Sequence, residues 1–306
     1  MKDFLILTGP TGIGKSYFGL RCAKHFNCSI FSVDSMLVYK GLDIGTAKPS
    51  KEEMKDVKHY CIDTVDVHQN YDVSNYIDEV NHSYKIEKGN LFGVGGTPFY
   101  INALQKGISN IETNPHFEAY FNNFETPELM RWLQRLDPKR ALELHINDRF
   151  RLTRALQITL SQGKQASKFA MGLKKNENNI TTIALTAPRN LMHELLKKRI
   201  DKMFDDGLYQ EANALYKENN ISRSAKAAVG YKELFQHFDG KIELEQAKEK
   251  ILVATRRLLK HQMTWFRKMN VQWVDVNFDN LDSTFDTLVP LLESHFANLN
   301  KGNHTT

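Results

Sequence analysis

Four short, mostly apolar runs, Phe4–Leu7, Ser29–Val33, Leu91–Val94 and Thr182–Leu185, are separated by longer stretches of helical spacing such as Lys15–His25 and Tyr76–Glu87. Runs of this length and composition read as strands buried on both faces of a parallel sheet. Strands alternating with helices in this way predict a doubly wound α/β fold, whose ligands lie beyond the carboxyl ends of the strands. The glycine-rich turns agree, because Gly9–Gly14 and Gly95-Gly96 both follow strand ends.

From about Ile111 to Asn178 strand-like alternation stops, and Phe117, Phe121, Leu129, Trp132, Leu133 and Leu136 recur at helical spacing. A helical lobe at 111–178, inserted into a core made of 1–110 and 179–297, is the simplest organisation. Lys174–Asn179 is expected to be a polar loop leading back to the sheet. Pro188-Arg189 follows the returning strand, a long amphipathic helix starts near Asn190, and a second spans roughly Leu244–Asn270. Residues 298–306 are expected to form a flexible tail.

Composition narrows the class. The 306 residues are 41% hydrophobic and 25% charged, which suits a globular protein with a substantial core. No run approaches the roughly 18 apolar residues of a membrane span. The start of the chain reads as a first strand rather than a signal peptide. Cys22, Cys28 and Cys61 have neither zinc-ligand spacing nor an even count for disulfides, so a cytoplasmic setting with reduced thiols is expected. The formal net charge of +5 is mild support for a polyanionic partner.

Gly9-Pro10-Thr11-Gly12-Ile13-Gly14-Lys15-Ser16 fits G-x-x-x-x-G-K-[ST] in full and lies between a strand and a helix. Glycines let the backbone wrap phosphate oxygens, and the helix N-terminus presents free N–H groups to the anion. Lys15 adds charge at the terminal phosphate, and the Ser16 hydroxyl suits Mg2+. The motif alone leaves open which diphosphate is held. Asp34, directly after the second strand, faces the same crevice. It can ligate a metal, take a proton from a nucleophile, or cap the next helix.

With the segment Asp43-Ile44-Gly45-Thr46-Ala47-Lys48-Pro49 added to the phosphate loop and Ser32-Val33-Asp34-Ser35, the chain resembles the tRNA dimethylallyltransferases. Later blocks are similar in order and spacing: Val94-Gly95-Gly96-Thr97 with Tyr100, Asn147-Asp148 with Arg151–Leu156, Pro188-Arg189 with Arg199-Ile200, Val229–Glu233, and Thr255-Arg256 to Thr264–Arg267. The resemblance covers Leu5 to Arg267.

What it implies is a P-loop NTPase-like core with an inserted lobe. The implied activity is transfer of a dimethylallyl group from dimethylallyl diphosphate to the exocyclic amine of the adenosine 3′ to the anticodon, with diphosphate released. Asp34 is then the general base and Thr97 a positioning hydroxyl. Lys15, Arg199, the loop amides and a Mg2+ on Ser16 stabilise the leaving group. For the anticodon stem-loop the resemblance points to Asp34, Ser35, Met36, Leu37 and Thr97, to Phe150, Arg151, Leu152, Thr153 and Arg154, and to Ala227, Ala228, Val229, Gly230, Tyr231 and Lys232. Arg149, Arg256, Arg257, Lys260, His261, Arg267 and Lys268 are further candidates for phosphate contacts.

A monomer is expected, and the lack of a C-terminal zinc finger points to the bacterial type. The chain departs from the common family pattern at Met36-Leu37 (Arg-Gln), Lys232 (Arg) and Asp66-Val67 (Asp-Pro). The competing reading is a nucleotide or small-molecule kinase with ATP in the phosphate loop. It explains Lys15 and Ser16 but not the Asp43–Pro49 segment.

Overall fold

The computed structural model describes residues 2–108, 111, 113–114, 116–169 and 178–302, with side chains to 296. Six strands, β1 (Asp3–Thr8), β2 (Ser29–Ser32), β3 (His59–Tyr60), β4 (Leu91–Val94), β5 (Asn179–Thr186) and β6 (Gln272–Asp275), form one sheet in the order β3-β2-β4-β1-β5-β6. Every pairing is parallel. The chain leaves β1 toward β2 on one side and leaves β4 toward β5 on the other. The ends of β1 and β4 therefore flank the point where strand order reverses, and the crevice opens there.

The four expected strands are present. Two were not anticipated: β3 has two half-buried residues, and β6 buries only Val274, with Trp273 left 39% exposed. Edge strands covered on one side leave little apolar signal.

The core of this unit is formed by Leu5, Leu7, Phe92, Val94, Ile183 and Leu185 from the strands. Phe18, Cys22, Met192, Leu196 and Leu259 from covering helices pack against them. All three cysteines are free and buried, and burial pushes the thiols of Cys22 and Cys28 up to about 12. Helix ends follow local chemistry. Asp72 accepts N–H groups from Ser74 and Asn75 at 2.7 and 3.1 Å to start helix Val73–Ile86, and Ser50 with Glu53 forms a capping box on Lys51–Asp56. The last helix, Leu281–Gly302, runs into the stretch expected to be tail, and 303–306 lie outside the described residues.

The chain divides into two compact units, residues 1–105 with 177–306, and residues 106–176. The second is helical where described, with a core of Phe121, Leu129, Met130, Leu133, Leu152 and Leu156. Asp137 is buried there and accepts the Ser167 hydroxyl at 2.6 Å and the Ser167 N–H at 2.7 Å. Most of the expected Lys174–Asn179 loop lies outside the described residues, and β5 begins at Asn179. Among the described residues no helix is long and apolar enough to cross a membrane.

Candidate active site

The phosphate loop joins β1 to helix Lys15–His25. Gly14, in the left-handed region, opens the helix with no side-chain cap, and no acidic residue stands in the first turn. Its N–H groups are therefore left to an anion. Lys15 bends back so that Nζ donates to the Pro10 carbonyl at 2.8 Å. Burial and then the nearby Arg199 charge lower its pKa to about 7, opposed by Asp34.

Asp34 leaves the end of β2 and caps no helix. Its Oδ1 accepts the Met36 N–H at 2.8 Å in a local turn, so the capping alternative is set aside. Burial raises its pKa, while the Met36 and Leu37 amides and the charges of Lys15 and Arg199 pull it back. Arg199, on helix Arg189–Asp205, is itself lowered by burial and supported by Asp34. Three groups distant in sequence thus share one electrostatic field: a lysine, an arginine and a carboxylate.

The turn after β4 fits closely against β2. A Cβ on Gly95 would lie 2.3 Å from the Val33 carbonyl oxygen, so only glycine allows this approach. Thr97 donates its N–H to Val33 at 3.0 Å, and its hydroxyl oxygen accepts the Ser35 N–H at 3.3 Å. Thr97 therefore braces the loop carrying Asp34, and among the described residues its hydroxyl proton is given no acceptor.

The Asp43–Pro49 loop is held from the outside. Glu211 accepts the N–H groups of Asp43, Ile44 and Gly45 at 3.0, 2.9 and 3.1 Å, and also the Tyr231 hydroxyl. Lys48, its side chain 3% exposed, is tied to Asp43, Asp63 and the Tyr39 carbonyl. This loop and helix Arg189–Asp205 line a cavity of about 410 Å³ that includes Ile44, Ala47, Pro49, Arg199 and Met203. Neither Glu211 nor Gln262, which reaches the phosphate loop, was singled out from the sequence. Both act on partners far along the chain, through hydrogen bonds that no local motif announces.

The residues that the resemblance groups as RNA contacts differ in exposure. Leu152 is fully buried in the helical unit, and Tyr231, Gly230 and Ala228 are buried in the other. The side chains of Leu152, Ala228 and Tyr231 serve packing, and the Tyr231 hydroxyl also serves Glu211. Phe150 is 68% exposed, and Arg151, Arg154, Ala227 and Lys232 are also exposed. Three arginines already have partners in their own unit: Arg149 donates to the Phe121 carbonyl at 2.7 Å, Arg151 pairs with Asp148, and Arg154 donates to Thr113 at 2.7 Å. Thr153 returns its hydroxyl to the Arg149 carbonyl. Arg257, Lys260, His261, Arg267 and Lys268 lie exposed along one stripe of the helix Leu244–Phe266 and its end.

The model of the IPP transferase family matches residues 37–269. This chain belongs to that family. A tRNA dimethylallyltransferase of Halalkalibacterium halodurans is 35% identical over 97% of this chain and 98% of its own length. One from Bacillus subtilis is 36% identical over 90% and 91%. The crystal structure of a tRNA isopentenylpyrophosphate transferase from Bacillus halodurans matches with a TM-score of 0.73 at 31% identity, covering 99% of this chain and all of that one. A eukaryotic dimethylallyltransferase, solved acting on tRNA, gives 0.80 at 24% identity over 97% and 80%, a likeness of fold. The core is P-loop NTPase-like, as its motif and sheet order require.

Proposed function

We propose that this member of the family transfers a dimethylallyl group from dimethylallyl diphosphate to the exocyclic amine of an adenosine beside the anticodon of tRNA. The observation that carries the reading is the phosphate loop at the point where strand order reverses, with Asp34 following β2 and with Lys15, Asp34 and Arg199 near enough to act on one another's charge.

The amine nitrogen forms a bond to the first carbon of the dimethylallyl group while the carbon–oxygen bond breaks, and its electron pair departs with the diphosphate. The loop amides, Lys15 and Arg199 stabilise that growing charge, and losing one well-placed donor costs on the order of 3 kcal/mol of barrier. The amine gives up a proton to Asp34. Its lone pair is otherwise delocalised into the ring, so this removal makes it a competent nucleophile. Asp34 is held for the task by the Met36 amide, and Thr97 keeps that loop against the β4 turn. The target base must leave its stack to reach a crevice of this kind, which an anticodon loop permits.

The donor chemistry for a Mg2+ is the Ser16 hydroxyl beside the phosphate loop. Ser16 and Ser32 line one small cavity of about 40 Å³ together with Glu53, His59 and six apolar residues, and the Ser32 hydroxyl is buried without a hydrogen-bond partner among the described residues. No cluster of three His, Cys, Asp or Glu stands among the described residues. Mg2+ commonly takes few protein ligands and completes its shell with phosphate and water. Ser16 would hold it, and when bound it adds positive charge beside the leaving oxygens.

The test is transfer itself. Purified protein is incubated with unmodified tRNA and radiolabelled dimethylallyl diphosphate, then the tRNA is digested and the label located. Label on adenosine is expected. An unlabelled tRNA with ATP hydrolysed instead would put a kinase in its place.

A further inference from the structure

Gln262 lies on the inward side of helix Leu244–Phe266 and is 6% exposed. Its Oε1 accepts the Thr11 N–H of the phosphate loop at 2.9 Å, and its Nε2 donates to the Gly96 carbonyl at 2.7 Å. One partner offers a proton and the other only a lone pair, so the amide can sit in a single orientation. Gly96 admits it closely: a Cβ there would lie 2.8 Å from Gln262 Nε2, 3.2 Å from the Gly9 carbonyl and 3.2 Å from Lys15 Cε. From Gly96 the connection continues without a break. Thr97 receives the Ser35 N–H, and Ser35 adjoins Asp34.

We propose that Gln262 is a positioning residue that sets the spacing between the diphosphate cradle and Asp34. One side chain spans the two segments that must act together, one taking the leaving group and the other the proton. Transfer needs both at once on opposite partners of the same reaction, and displacement by about 1 Å is enough to lower a rate by roughly a hundredfold. A residue that only satisfied two buried backbone groups would affect stability and leave the rate of the folded enzyme unchanged. The proposal rests on the transferase reading above.

The experiment uses Gln262→Met, of similar length and without either hydrogen bond. Single-turnover transfer to unmodified tRNA is measured with both substrates saturating, together with KM for tRNA, the Kd of inorganic diphosphate and the Tm. The transfer rate is expected to fall by at least about tenfold, with KM and Kd within about twofold of wild type. An unchanged rate overturns the proposal, as does a diphosphate affinity that falls in step with the rate. If Gln262→Met does not fold, Gln262→Glu is judged by the same split, since it keeps an acceptor for Thr11 but sets an oxygen against the Gly96 carbonyl. A wild-type protein that labels no tRNA sinks the transferase reading. Normal labelling by wild type and variant alike sinks this proposal alone.

Discussion

Lys15 gives the sharpest quantitative expectation. Burial and Arg199 hold its ammonium at a pKa of about 7 in the free protein, far below the ordinary 10.5. A bound diphosphate brings negative charge beside it and restores the protonated form, so binding takes up a proton wherever free Lys15 is neutral. At pH 8 only about a tenth of free Lys15 is charged, and uptake approaches about 0.9 proton per site. Below pH 7 the lysine is already charged and uptake fades. The apparent Kd for dimethylallyl diphosphate should therefore be nearly flat from pH 6 to 7. It should then weaken toward about tenfold per pH unit, or about 1.4 kcal/mol. Isothermal titration in buffers of different ionisation enthalpy reads Kd and proton uptake together. Lys15→Arg is the control, because guanidinium does not titrate in this range and the slope should vanish even if affinity changes. A wild-type Kd that is constant between pH 7 and 9, with no proton taken up, would refute the argument.

Asp34→Asn should lower single-turnover transfer by about 10²- to 10⁴-fold while tRNA still binds in a filter assay. In the wild-type protein kcat/KM should drop on the acid side through an apparent pKa above the ordinary 3.8, because the base must be ionised and burial raises its pKa. Glu211→Gln leaves one acceptor oxygen for three N–H groups and the Tyr231 hydroxyl, and should cost on the order of 2 kcal/mol in urea unfolding. An unaltered midpoint would show that the loop does not depend on that carboxylate. Gly45→Ala places a Cβ 2.6 Å from the Tyr231 ring and should destabilise by about 1–3 kcal/mol. Tyr231→Leu in the same chain should recover part of the loss, and equal losses with and without it would count against the clash.

What could be read from the residues beforehand follows from how local each constraint is. The phosphate loop and Asp34 declare themselves because their work requires fixed spacing beside a strand end, and β1, β2, β4 and β5 because both faces are covered and their residues are correspondingly apolar. The lobe showed itself by the loss of strand pattern, and the structure divides the chain at 106–176. β3 and β6 escaped notice because an edge strand needs few buried side chains. Tyr231 carries a structural role that its segment does not announce: its ring fills the space above Gly45 and its hydroxyl serves Glu211.

Glu211 and Gln262 reveal why a site cannot be read entirely from its motifs. Gly9–Ser16 supplies a cradle, Asp34 a carboxylate and Gly95–Thr97 a turn, and none of these segments can fix its own distance from the others. That distance is set by side chains on helices formed much later in the chain, bonding to backbone groups rather than to side chains of recognisable type. A backbone N–H is the same at every residue, so the sequence marks neither the need nor the partner. Chemistry that depends on which groups are present is therefore legible early, whereas chemistry that depends on how far apart they stand requires the fold. If the two are separable, substitutions at Asp34 should abolish the proton transfer itself, and substitutions at Gln262 should slow it with the groups intact.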